Sequence, residues 1–156
     1  MITYKLFRVK NGKLYPLYVL ADKETPVGVE IKAEVGQIAD ETHVKSKLGH
    51  LSLRPGWHST HVPFTDWIGK RADDGTLLQK KNTVWCECEV NGKEQVVTER
   101  HGLRHLPRGW YHFKTNSKQR EPWVISDNLK VVRVLSDKEV ATICRANGYE
   151  PQRKEM

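Results

Sequence analysis

The chain has 156 residues, 26 Lys and Arg against 19 Asp and Glu, and a formal net charge of +7. That length suits one domain with one core, and 38% hydrophobic with 29% charged residues excludes a disordered or fibrous chain. No apolar run approaches the roughly 18 residues of a spanning helix, the start MITYKLFRVKNGK has no apolar signal core, and three cysteines make no disulfide framework, so a reducing cytoplasm is expected.

TYKLFRVK predicts a strand, Asn11-Gly12 a hairpin turn, and KLYPLYVL the returning strand, placed at an edge or bend by Pro16. VGVEIKAEVG sets Val27, Val29, Ile31 and Ala33 on one face of a short strand and Glu30, Lys32 and Glu34 on the other. Residues 36–50 are polar and mixed, which predicts loop with at most a helical turn. HLSLRPGWHST is a strand broken at Pro55-Gly56, and VPFTDWIGK predicts a short helix opening near Pro63. RADDGTLLQKKN is turn-rich and exposed. TVWCECEV is the clearest strand, with Val84, Cys86, Cys88 and Val90 on one face and Trp85, Glu87 and Glu89 on the other.

Asn91-Gly92 predicts a second hairpin, with KEQVVTE returning from it. WYHFKT, PWVIS and LKVVRVL are three further strands. Ser136 and Glu139 form a capping box, in which each side chain covers an orphan backbone donor. The helix it opens, Asp137–Ala146, buries Val140, Ile143 and Cys144 and stops at Asn147-Gly148. The sum is an α+β, strand-rich single domain over residues 1–148 with a C-terminal helix, followed by a flexible tail at 149–156.

The charge is unevenly placed. Residues 1–99 hold 14 basic and 13 acidic groups, whereas residues 100–156 hold 12 and 6. Arg100, Arg104, Arg108, Lys114, Lys118 and Arg120 fall in a stretch without a single acid, alongside Trp110, Tyr111 and Phe113. Cations neutralise phosphates and aromatics stack on bases, so this composition suits a nucleic acid or a phosphorylated ligand. A solvated loop with core aromatics is the plainer alternative.

His58 and His61, His101 and His105, and Cys86-x-Cys88 contain metal-ligating types, but structural zinc sites use wider cysteine knuckles. No metal is therefore expected, and the cysteines read as small buried hydrophobes. No Gly-rich phosphate loop is present. A metal-independent ribonuclease needs only a base, an acid and a cation, which His58, His61, His105, His112 and Lys114 supply as types.

Three segments resemble ADP-ribosyltransferase-like domains: Tyr4-Lys-Leu-Phe-Arg8-Val9, Gly56-Trp-His-Ser59-Thr60, and Glu121-Pro-Trp-Val-Ile-Ser126. The resemblance implies a split sheet binding NAD, with Arg8 on the phosphates, His58, Ser59 and Thr60 lining the ribose site, and Glu121 as the catalytic carboxylate stabilising an oxocarbenium-like transition state. His61 stands where the family's third hydroxyl falls, and Glu121 lacks the paired acid of the arginine-modifying members. Over most of its length the chain is also similar to short uncharacterised proteins of bacteriophages and other mobile elements, through YKLFRVKNGKLYPL, PVGVEIKAEVG, LRPGWHST, VWCECEV and WVISDNLKVVRVLSDKEV. That similarity implies a bacterial cytoplasmic setting.

Three functions follow. The first is a transferase-like domain that binds NAD or a related nucleotide and modifies a host macromolecule. The second is a non-enzymatic protein that binds nucleic acid or a host defence protein through residues 100–120, with Trp110 among the six cations. The third is a small metal-independent ribonuclease using His58 or His112 with Lys114.

Overall fold

The computed structural model describes residues 1–17, 22–33, 54–100 and 102–155, with the backbone alone of strands at 43–46 and 49–52. Its elements are β1 (Ile2–Lys10), β2 (Lys13–Tyr15), β3 (Glu30–Lys32), β4 (His43–Ser46), β5 (Gly49–Ser52), β6 (Trp57–Ser59), β7 (Lys70–Arg71), β8 (Leu77–Leu78), β9 (Thr83–Glu89), β10 (Trp110–Phe113), β11 (Trp123–Ser126), β12 (Asn128–Val134) and α1 (Asp137–Ala146). A five-stranded sheet runs β2-β1-β9-β12-β3 and a three-stranded sheet runs β10-β11-β6, both antiparallel throughout. The pairs β4-β5 and β7-β8 form separate two-stranded ribbons. Strand-rich α+β architecture with one short C-terminal helix is therefore what the chain adopts.

The layers follow from which strand faces are apolar. Phe7, Cys86, Cys88, Val90, Leu129 and Val131 project from the five-stranded sheet onto Trp57 of the three-stranded sheet, forming the first core. On the far side of the five-stranded sheet, Tyr4, Leu6 and Trp85 meet Val140 and Cys144 of α1. On the far side of the three-stranded sheet, Tyr111, Phe113, Trp123 and Ile125 are covered by Leu103. β9 is thus buried on both faces, which is why it carries Trp85 opposite its cysteines. One backbone bridge joins the sheets: Tyr4 and Thr60 exchange N–H···O bonds of 2.7 and 2.8 Å.

Several expectations hold locally. Lys10 pairs with Lys13 across Asn11 (φ 52) and Gly12 (φ 74), the two left-handed residues of a type I′ hairpin. The capping box forms, with Glu139 N–H donating to Ser136 Oγ and Ser136 N–H to Glu139 Oε1, both 3.1 Å. Val140 and Cys144 are buried on α1.

Others fail for stated reasons. Residues 62–69 form no helix, because their backbone groups are committed elsewhere: Val62 O accepts from the Thr60 hydroxyl, Trp67 N–H donates to Thr65 Oγ1, and Thr65 N–H to Gln152. Asn91-Gly92 does not turn a hairpin. The Asn128 side chain binds Asn91 N–H and C=O, both at 2.8 Å, and the next residues bridge parallel to Trp110. Val27 and Val29 are exposed rather than inward, and part of the 36–50 loop is the β4-β5 ribbon. Residues 18–21, 34–42, 47, 48, 53, 101 and 156, and with them Glu34 and His101, lie outside the described residues. Residues 149–155, expected to fray, are tied down. Gln79 N–H donates to Arg153 O and Glu155 N–H to Gln79 O, both at 2.8 Å, and Tyr149 stacks on Phe64. Among the described residues no helix is long and apolar enough to cross a membrane.

Candidate active site

Pro55-Gly56 sets the geometry of β6. Gly56 has φ 129, and a Cβ there would lie 2.8 Å from Ile125 Cγ2 and 2.9 Å from Ser126 O. Only glycine lets the strand enter this close to β11. Along β6 and β11, Trp57 pairs with Ser126, His58 with Ile125 and Ser59 with Val124. On the other edge of β11, His112 of β10 pairs with Val124. Directly paired residues share a face, so His112, Val124 and Ser59 look the same way. His61 leaves β6 just beyond Thr60 and meets His112, with their Nε2 atoms 2.7 Å apart and ring centroids 5.0 Å apart.

Two carboxylates flank this pair. Glu94, from the segment bridged to Trp110, accepts from His112 Nδ1 at 3.3 Å. Glu121, just before β11, is 6% exposed and accepts from His61 N–H at 3.1 Å and from Tyr149 O–H at 3.0 Å. Gln119 holds the loop that delivers it, donating to Glu121 O and accepting from Thr115 N–H, both at 2.7 Å. Arg120 lies 4.5 Å from the centre of the Tyr149 ring, and its N–H donates to Asp66 Oδ2 at 2.7 Å. The Trp110 indole stands edge-on to His112, with centroids 5.1 Å apart.

Protonation follows from these contacts. A carboxylate only accepts, so His112 Nδ1 carries a proton. Burial, and then the nearby His112, push the His61 pKa below the ordinary histidine value. An Nε2···Nε2 contact of 2.7 Å needs one donor and one acceptor. Burial raises the Glu121 pKa, opposed by the bonds from Tyr149 and from His61 N–H.

The residues expected to bind a dinucleotide are placed differently. Arg8 donates to Pro16 O at 3.3 Å and lies four residues along β1 from Tyr4, about 13 Å from the Thr60 bridge at strand rise. Thr60 is fully buried, with its hydroxyl 3.2 Å from Tyr4 O and 2.6 Å from Val62 O. Ser59 is buried inside the sheet. His58, expected to be catalytic, turns to the opposite face from Ser59. Its ring packs edge-on to Trp123, and Nδ1 lies 3.3 Å from Gly56 O. Burial and then Lys5 push its pKa down to about 3. The structure therefore brings Glu121 to His61, not to Arg8.

Arg100, Arg104, Arg108, Lys114, Lys118 and Arg120 are all exposed, and Trp110 is half-buried, its N–H donating to Gly92 O at 3.2 Å. Lys114 follows His112 by two residues, and Arg120 adjoins Tyr149. Sequence reasoning missed Glu94 and Tyr149, which are bland surface types in their own segments. His61 and His112 were legible among the ribonuclease candidates, but nothing in the sequence paired them. Among the described residues no three His, Cys, Asp or Glu side chains converge as a metal site. No family model, curated protein or solved structure matches the chain.

Proposed function

We propose that the protein is a small metal-independent ribonuclease whose acid–base pair is His61 and His112. The observation that carries this is the 2.7 Å contact between their Nε2 atoms, with Glu94 accepting from the His112 ring at Nδ1 and Glu121 accepting from the His61 backbone N–H. Two imidazoles with different surroundings divide the roles of base and acid. Neutral His61 takes the proton of a ribose 2′-hydroxyl as O2′ bonds to phosphorus. The P–O5′ bond breaks, and His112 Nε2–H protonates the departing O5′. The products are a 2′,3′-cyclic phosphate and a 5′-hydroxyl, and the proton now on His61 returns to the pair through water. The substrate phosphate replaces the direct Nε2···Nε2 contact, parting the two rings as it binds, with Arg120 and Lys114 supplying positive charge nearby and Trp110 a surface for a base.

The test is cleavage of an end-labelled RNA oligonucleotide in the presence of EDTA. Wild-type protein should cut RNA but not the matching DNA, and His61→Ala and His112→Ala should each lower the rate about 10²–10⁴-fold. Absence of cutting, or cutting that survives both substitutions, overturns the proposal.

The six exposed cations also favour a second reading, in which the protein binds nucleic acid without cleaving it. That protein would retain RNA on filters with an affinity that falls steeply as salt rises. An NAD site has less behind it, because the Thr60 hydroxyl and both Glu121 oxygens already hold protein partners.

A further inference from the structure

His61 and His112 meet in a way that suits a metal ion as well as a shared proton. Their Nε2 atoms lie 2.7 Å apart, with ring centroids 5.0 Å apart. In a neutral imidazole whose proton is on Nδ1, Nε2 carries a free lone pair and can ligate a metal. Glu94 fixes that tautomer for His112, because its carboxylate accepts from His112 Nδ1 at 3.3 Å. A ligating histidine commonly has its second ring nitrogen tied to a carboxylate in this way.

Distances decide whether one ion can reach both rings. Around a tetrahedral ion with metal–nitrogen bonds of about 2.0–2.1 Å, two imidazole nitrogens lie about 3.3 Å apart and their ring centres about 5.2 Å apart. The ring centres of His61 and His112 already stand within about 0.2 Å of that spacing. The change required is a swing of each ring that opens the Nε2···Nε2 contact and turns both lone pairs to one point. His61 is half-buried and His112 exposed, so water reaches the remaining ligand positions.

The backbone holds both residues ready. His112 sits within β10, paired to Val124 of β11. His61 follows the bridge between Thr60 and Tyr4, and its N–H donates to Glu121 Oε1 at 3.1 Å. Little ordering is left to be done when an ion binds. Glu94 and Glu121 also bring carboxylates to the pair, and negative charge favours a cation.

We infer that His61 Nε2 and His112 Nε2 together bind one divalent transition-metal ion of the zinc class, with water completing its shell. Two imidazoles are fewer than the four ligands of a structural zinc site, so the ion exchanges and acts as a regulator. It occupies both nitrogens that serve as base and acid, so zinc inhibits RNA cleavage. That inhibition rests on the ribonuclease reading, whereas the binding does not.

The test is a titration of the full chain with Zn²⁺ alone at neutral pH in a non-chelating buffer, followed by calorimetry and by the histidine ring signals in NMR. In wild-type protein the His61 and His112 signals should move together as one ion binds. His61→Ala and His112→Ala should each weaken binding by about 100-fold or more, and Glu94→Ala by about ten-fold. His105→Ala, at an exposed ring outside the pair, should leave it unchanged. Signals of His61 and His112 that stay still in wild-type protein overturn the inference without need of a variant. Undiminished affinity in His61→Ala or His112→Ala also overturns it, because it places the ion on other histidines. Zinc should slow cleavage of the end-labelled RNA in step with the occupancy measured by calorimetry. A protein that binds zinc at the pair but never cuts RNA supports the site and refutes only the ribonuclease. One that cuts RNA but binds no zinc there refutes the site alone.

Discussion

His58 should make the fold sensitive to acid, and the size of the effect can be worked out. Its Nδ1 faces Gly56 O, which only accepts, so the neutral Nδ1–H form is the one the fold holds. Burial and the nearby Lys5 lower its pKa from 6.5 to about 3. The unfolded chain therefore binds a proton that the folded chain refuses, and stability falls as pH drops from the unfolded value toward the folded one. Relative to pH 7, the loss is about 2 kcal/mol at pH 5 and about 3 kcal/mol at pH 4. That is a sizeable part of a total stability of about 5–15 kcal/mol. His61, also lowered, contributes with the same sign, whereas Glu121, raised by burial, gains from acidification. His58→Asn isolates the histidine, because it keeps an N–H toward Gly56 O and removes the titration. Urea unfolding at pH 7, 5 and 4 should show the loss in wild-type protein and a slope flattened by about 2 kcal/mol at pH 5 in the variant. Parallel losses in both proteins, or an NMR titration of His58 near 6.5, would refute the reasoning. RNA cleavage should survive His58→Asn, since the ring points away from His112.

Further outcomes follow from single contacts. Gly56→Ala should cost about 2–3 kcal/mol in chemical denaturation, because its Cβ meets Ile125 Cγ2 at 2.8 Å in a backbone conformation with φ 129. Ser136→Ala removes the cap of α1 and should cost about 1 kcal/mol, read as a lower urea midpoint with unchanged m. Burial pushes the thiols of Cys86 and Cys144 up to about 12 and about 11, and that of Cys88 up as well. Only thiolates alkylate, so native protein at pH 8 should resist iodoacetamide, while denaturant should expose all three cysteines. Fast labelling of native protein would contradict the buried assignment.

Much of the fold was legible because its signals are local. The type I′ turn at Asn11-Gly12, the alternation of β9 and the capping box of α1 each depend on residues within a few positions of one another. The helix expected after Pro63 and the hairpin expected at Asn91-Gly92 failed because distant side chains, Gln152 and Asn128, take the backbone groups those elements require. The tail illustrates the same limit. Its last residues look frayed by composition, yet Tyr149 reaches Glu121 and Arg153 reaches Gln79.

The opening arithmetic by itself determined that the chain is globular, that its excess positive charge lies after residue 99, and that its cysteines are not a disulfide framework. Those properties follow from composition and near-neighbour spacing. Only the tertiary structure decided which of seven histidines meet. His61 and His112 are 51 residues apart and come together because β6 and β10 flank β11 in one sheet. The same sheet turns His58 into the packing and leaves Lys5 facing Trp57. Strand order and register bring these residues together through hydrogen bonds between distant segments, and no local pattern encodes that pairing.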